Sequence, residues 1–219
     1  MDLHNGDCMD IIKGLADNSV DVIFTDAPYI PPQHKSTLTK YARTLSEMAI
    51  LESFYKTYLK EIDRILKPTG RYYFFCNSDS YPMFYIHLFP YTKKMRCFVW
   101  DKIMCSLGFT FRHQHELILY GEKQEAKPIK CGTGDIFKFR AVKAKEKTHP
   151  AEKPVDLLKH ILKNHTKEEV VLDTFMGTGS IGVACKELGI KYIGMEVEPS
   201  YFHIAKKRLS AERVFKSTS

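Results

Sequence analysis

The chain has 219 residues, of which 44% are hydrophobic and 27% charged, with a formal net charge of +7 and a pI near 9.0. This length supports one substantial core and a single domain over 1–219, and the mixed composition, without low-complexity tracts or internal repeats, excludes fibrous and disordered classes. No apolar run approaches the ~20 residues of a bilayer span, and the opening MDLHNGDCMD lacks the regions of a secretory signal, so a cytoplasmic location and no membrane partner are expected.

Cys8, Cys76, Cys97, Cys105, Cys131 and Cys185 are scattered, with no C-x-x-C pair. That pattern suits free thiols in a reducing compartment and offers no zinc site. The positive balance attracts polyanions, with nucleic acid the first candidate, although lysines on solvated faces produce the same balance.

In chain order, DVIFT (21–25) has the composition of a strand, and LSEMAILESFYKTYLKEIDRIL (45–66) has helical spacing that should stop at Pro68 and Gly70. RYYFFC (71–76), RCFVW (96–100) and HELILYG (115–121) follow as strands, with a short helix near YPMFYIHLF. Residues 122–148 then carry eight Lys or Arg against four acids and little regular period, so they form a basic insert. Loops this long in compact domains are uncommon unless functional. From 153 the alternation is clear: helix KPVDLLKHILKNH, strand EEVVLD, loop TFMGTGS, helix IGVACKELG, strand KYIGME and helix SYFHIAKKRL. The expected fold is α/β, a Rossmann-like doubly wound and mostly parallel sheet.

GTGSIG places Gly177, Gly179 and Gly182 in a G-x-G-x-x-G spacing between a strand and a helix, with Glu196 ending the next strand. Taken alone, that spacing fits an NAD oxidoreductase. Asp173, at the end of the strand feeding the loop, would repel a pyrophosphate and favour a cationic ligand instead. S-adenosylmethionine has a ribose for Glu196, no phosphate, and an ammonium and sulfonium that a carboxylate stabilises. The plainer and weaker alternative is that Asp173 and Glu196 only cap the turns after their strands, since both acids occur together with the glycines at the required spacing.

TDAPYIPP (25–32) supplies a second constellation. The Asp26 carboxylate and the Ala27 carbonyl can each accept one N–H of an exocyclic amine, while the Tyr29 ring stacks on the base. Gripping the amine this way localises a lone pair that is otherwise spread into the ring. Pro28 fixes its own φ and biases Ala27 toward an extended conformation. An ordinary Asp-x-Pro turn closing a strand is the plain alternative.

Together these segments resemble the beta-class DNA amino-methyltransferases, which modify adenine N6 or cytosine N4. DAPY (26–29) is similar to the family's catalytic Asp-Pro-Pro-Tyr, DTFMGTG (173–179) to its cofactor motif, and GMEVEP (194–199) to its acidic ribose motif. HPAEKP (149–154), NGDC (5–8), WDK (100–102) and RHQHELIL (112–119) also resemble family segments, in the permuted order that defines the class. One departure is Ala27 where the family usually has proline, which retains the main-chain acceptor and loses rigidity.

The resemblance implies that Asp173, Phe175, Gly177, Gly179 and Glu196 surround S-adenosylmethionine, with Asp7 and Lys153 lining other parts of the pocket. It implies catalysis by Asp26, Ala27, Pro28 and Tyr29 on an adenine flipped out of double-stranded DNA, with cytosine N4 as the nearest rival and RNA as a further alternative substrate. The insert 122–148 would act as the target-recognition region, aided by Lys35, Lys40 and Arg43. A homodimer and a cognate restriction endonuclease are admitted as partners. A rival outside catalysis is a cofactor- and nucleic-acid-binding subunit with a dead site, against which the intact Asp26 and Tyr29 speak.

Overall fold

A computed structural model describes residues 1–28, 38–105, 111–129, 131–143, 145 and 152–211, with 38–48 described by their backbone alone. The elements are β1 (Asp2–Asn5), α1 (Cys8–Lys13), β2 (Val20–Thr25), α2 (Leu38–Ile65), β3 (Leu66–Cys76), α3 (Tyr81–Leu88) and β4 (Lys94–Asp101). They continue with β5 (His115–Glu122), β6 (Ile136–Lys138), α4 (Val155–Leu162), β7 (Val170–Asp173), α5 (Ser180–Leu188), β8 (Lys191–Glu196) and α6 (Pro199–Ser210). The eight strands form one sheet in the order β1-β8-β7-β2-β3-β5-β4-β6. All neighbouring pairs are parallel except the two made by β5, which runs against both β3 and β4.

The central strands are apolar on both faces because helices cover both. Along β2, Val22 and Phe24 enter one core with Leu157 of α4, Ala184 of α5 and Ala205 of α6. The intervening Ile23 enters the other core with Ile12 of α1, Tyr58 and Ile62 of α2, and Phe84 of α3. Successive side chains of a strand point to opposite faces, so an almost continuous apolar run serves a sheet buried on both sides.

The order of the sheet decides where a ligand can bind. From β2 the chain crosses through α2 to β3 on one side, while from β7 it crosses through α5 to β8 on the other. β2 and β7 are therefore neighbours that wind in opposite directions, and a crevice opens beyond their carboxyl ends. Their register, Val22 opposite Val171 and Ile23 opposite Leu172, brings Thr25 and Asp173 to one rim.

Several boundaries differ from the sequence expectation. α2 begins at Leu38, seven residues before the expected start. β3 begins at Leu66, and its pairing jumps from Val20 opposite Leu66 to Val22 opposite Arg71, so Lys67 to Gly70 bulge out. Pro68 and Gly70 end the helix as expected, but within an irregular strand start. Inside the insert, β6 adds a short parallel strand to β4, held by Val99 N–H to Asp135 O (2.8 Å), Phe139 N–H to Asp101 O (3.1 Å) and Trp100 Nε1 to Phe139 O (2.7 Å). Pairing to β4 and burial of Phe137 create this strand, not a period of its own. Among the described residues, no helix is long and apolar enough to cross a membrane.

Candidate active site

The Asp26 turn leaves β2 at Thr25, and Ala27 is fully buried while Pro28 is exposed. The Tyr55 hydroxyl, from α2, donates to the carbonyl of Pro28. Tyr29 lies outside the described residues, as do Lys35, and the side chains of Lys40 and Arg43.

Asp26 is embedded in a charged ladder. Its Oδ2 lies 2.8 Å from Lys153 Nζ, which is also 3.0 Å from Glu116 Oε2, and Lys102 Nζ reaches Glu116 Oε1 at 2.6 Å. Lys153 is 5% exposed, and its ammonium sits 4.8 Å from the centre of the Phe75 ring. Burial opposes the charge on Glu116, yet the two lysines overcome it and hold the carboxyl below its ordinary range. An ammonium this buried is stable only because two carboxylates and an aromatic face replace its water.

One strand away, β7 ends at Asp173 and the glycine loop begins. Asp173 is 2% exposed and lies beneath the loop, not on its open side. Its Oδ1 accepts from Thr25 Oγ1 (3.1 Å) and Phe175 N–H (3.2 Å), and its Oδ2 from Tyr192 (3.2 Å). Burial raises its pKa to about 7, against the lowering pull of those donors, and Asp26 adds to the rise. The direct tie from Thr25 to Asp173 joins the two motifs, 148 positions apart in sequence.

Gly177 and Gly179 adopt φ of +52° and +83°, a region that penalises a side chain. A Cβ on Gly177 would meet nothing within 4 Å, so the loop is open at that point. A Cβ on Gly179 would lie 3.1 Å from Ala205, so this glycine lets α6 approach. Glu196, at the end of β8, accepts the Gly177 N–H on Oε2 (2.9 Å) and the Glu198 N–H on Oε1 (2.8 Å). The ring of Phe175 packs near Phe54 and Tyr58 of α2. Asp7 caps α1, accepting from Met9 N–H at 2.8 Å, and the adjoining Gly6 N–H donates to Glu196 O at 3.0 Å.

The structure thus gathers Asp26, Lys153, Asp173, Phe175, Gly177, Gly179, Glu196 and Asp7 along one rim. Lys153 grips Asp26, a partner its sequence neighbourhood did not suggest. Glu116 and Lys102 lie within family-like segments and carry no further signal of their own, and their coupling depends on antiparallel β4–β5 pairing, which sets Trp100 opposite Glu116. The hydrogen-bonded hydroxyls of Tyr55 and Tyr58 carry no sequence signal beyond their place on the apolar face of a helix.

A crevice at the reversal of a doubly wound sheet, with an open glycine loop on one strand end and an acid-led turn on the next, defines an α/β enzyme that brings an adenosine-bearing cofactor to a second substrate. A family model described as "DNA methylase", covering N6 and N4 enzymes, matches residues 20–207, and the chain belongs to that family of DNA amino-methyltransferases. The chain is 30% identical to type II methyltransferase M.HinfI of Haemophilus influenzae, over 93% of this chain and 67% of that protein. It is 26% identical to type II methyltransferase M2.MboI of Moraxella bovis, over 94% of this chain and 86% of that one. Among solved structures, a complex titled M1.HpyAVI-SAM superposes with a TM-score of 0.72 at 24% identity, covering 96% of this chain and 99% of the other. The PvuII DNA methyltransferase, titled cytosine-N4-specific, gives 0.79 at 15% identity, covering 97% and 87%. Membership of this family sets aside the NAD oxidoreductase reading of the glycine motif.

Proposed function

We propose that this DNA methyltransferase transfers the methyl group of S-adenosylmethionine to the N6 amine of an adenine flipped out of duplex DNA. The observation that carries this reading is the joining of the Asp26 turn to the cofactor loop through Thr25 and Asp173 at one strand rim. The residues present fit the cofactor: Gly177 leaves open space, and Glu196 stands at the neighbouring strand end to accept ribose hydroxyls. When bound, S-adenosylmethionine supplies an electrophilic methyl on a sulfonium centre.

The protein's own part is to hold and prepare the amine. Asp26 and the Ala27 carbonyl accept its two N–H groups and draw the nitrogen toward tetrahedral geometry, while Tyr29 stacks on the base. Flipping is required because the amine of a paired base lies inside the duplex. The amine's lone pair forms the bond to the methyl as the methyl–sulfur bond breaks and S-adenosylhomocysteine leaves. Positive charge develops on nitrogen beside the Asp26 carboxylate, and the amine then releases one proton to solvent. Lys153 keeps that carboxylate anchored while it works.

Duplex DNA is supported by the surroundings of the rim. Ile103, Met104 and Phe111 are exposed on the β4–β5 connection, beside exposed Arg112 and His113, and Arg140 of the insert contacts Met104. Basic residues of the insert suit phosphate contacts. The type II designation of the relatives supports pairing with a cognate restriction endonuclease.

Incubation with labelled S-adenosylmethionine and unmethylated DNA, followed by nucleoside mass spectrometry, tests the assignment. N6-methyladenine is the expected product. N4-methylcytosine overturns the choice of base, and the absence of any methylated nucleoside overturns the function.

A further inference from the structure

Tyr55 and Tyr58 of α2 are fully buried and three residues apart, so they share one helix face. The Tyr55 hydroxyl is spent on the Pro28 carbonyl, in the catalytic turn. The Tyr58 hydroxyl lies 2.6 Å from Thr174 Oγ1, at the first residue of the cofactor loop. Both rings are immobilised: Tyr55 meets Phe84 edge-on at 4.5 Å, and Tyr58 stacks on Phe54 at 5.4 Å. One rigid helical turn therefore grips the amine-binding half of the site with one hydroxyl and the cofactor half with the other.

We infer that Tyr55 is a positioning residue for methyl transfer, acting on the Ala27 acceptor through Pro28, and that Tyr58 gives the cofactor loop the same support. This inference rests on the methyl-transfer reading of the Asp26 turn. Its physical basis is the alanine at position 27. Alanine offers the same carbonyl as proline but leaves its own φ free to vary. Pro28 follows directly, and a hydrogen bond that anchors its carbonyl, together with its locked φ, limits how far the preceding peptide plane, whose oxygen belongs to Ala27, can turn. The Tyr55 clasp thus restores from outside the rigidity that the alanine gives up. Burial raises the pKa of the Tyr55 hydroxyl far above its ordinary value, so it stays a donor at every working pH.

A tyrosine that merely fills the core would behave differently when its hydroxyl alone is removed. In Tyr55→Phe, S-adenosylhomocysteine affinity stays within about twofold, while single-turnover transfer at saturating DNA falls at least about tenfold, as expected for a displaced reacting group. Ala27→Pro restores more activity in the Tyr55→Phe background than it adds to the wild type. Tyr58→Phe shows the opposite split, weakening S-adenosylhomocysteine binding first.

An unchanged Tyr55→Phe rate, a rate loss that follows cofactor affinity, or the same phenotype in both phenylalanine variants would overturn the inference. The two phenylalanine variants decide the matter even where Ala27→Pro fails to fold. Wild-type enzyme is assayed alongside: no methylated DNA there defeats the function itself, whereas an unaffected Tyr55→Phe defeats only the clasp.

Discussion

Lys153 Nζ lies 2.8 Å from Asp26 Oδ2, inside the protein, with Glu116 on its other side. The lysine sits in the segment just before α4 and the aspartate just after β2, so tertiary packing alone makes them partners. One cation shared between two carboxylates fixes the orientation of both.

Replacing Lys153 by Gln removes the cation and leaves two carboxylates facing a neutral side chain. Breaking a buried pair in this way costs on the order of 3 kcal/mol or more. The variant should melt measurably lower and lose most of its methyl transfer. The Glu116 carboxyl, freed from one of the lysines that hold it down, should protonate at higher pH by carboxylate-resolved NMR. A variant with unchanged melting and turnover would show that the ladder is dispensable.

Asp26→Ala removes the acceptor proposed for the target amine and one of the two carboxylates that hold Lys153. Transfer should drop by at least about a hundredfold, the usual effect of losing one preorganised hydrogen-bond partner of a reacting group. Calorimetric titration with S-adenosylhomocysteine should give wild-type affinity, because the glycine loop and Glu196 are untouched.

Gly177→Ala and Gly182→Ala should separate binding from folding. A Cβ on Gly177 meets no protein atom, so stability should fall by only about 1 kcal/mol, the cost of a left-handed φ, while cofactor affinity drops as the methyl fills the open cradle. A Cβ on Gly182 would lie 2.8 Å from the Tyr192 ring and 2.9 Å from Leu209. That overpacking should cost about 1–3 kcal/mol of stability. Thermal melts with and without S-adenosylhomocysteine distinguish the two patterns.

Asp173 should make the cofactor-free protein less stable as pH rises. Burial holds its folded pKa at about 7, above the ordinary value of about 3.9, so the folded chain keeps a proton that the unfolded chain has already lost. Its contribution is most favourable below about pH 4 and is lost as pH climbs through 7, a change on the order of 4 kcal/mol at most. Asp173→Asn keeps a similar shape without a titrating group. Denaturant melts at pH 6 and pH 8 should differ less in Asp173→Asn than in wild type, and an equal difference would refute this role.

The sequence made the strands of the central sheet legible because each is buried on both faces, so VDVIFT and EEVVLD stand out as apolar runs. The glycine loop was legible for a related reason: a positive φ at Gly177 and Gly179 admits few other residues. β6 escaped notice because three residues held by a neighbour's edge leave no periodic trace. α1, at six residues, is too short to leave a helical period. The Lys153 ladder and the Tyr55 and Tyr58 contacts were hidden for a deeper reason. They depend on which strand ends become neighbours, and a linear string of residues does not state that.

Among the described residues β1 pairs with β8 alone, and Asn5 donates its side-chain amide to Glu196 O across 191 positions. β2 likewise gains its β7 flank from residues 170 to 173. During synthesis on the ribosome, β1 must wait for β8 until residues 191 to 196 have emerged. Assembly of the rim therefore waits for β7 and β8, and this long-range closure should make folding slow.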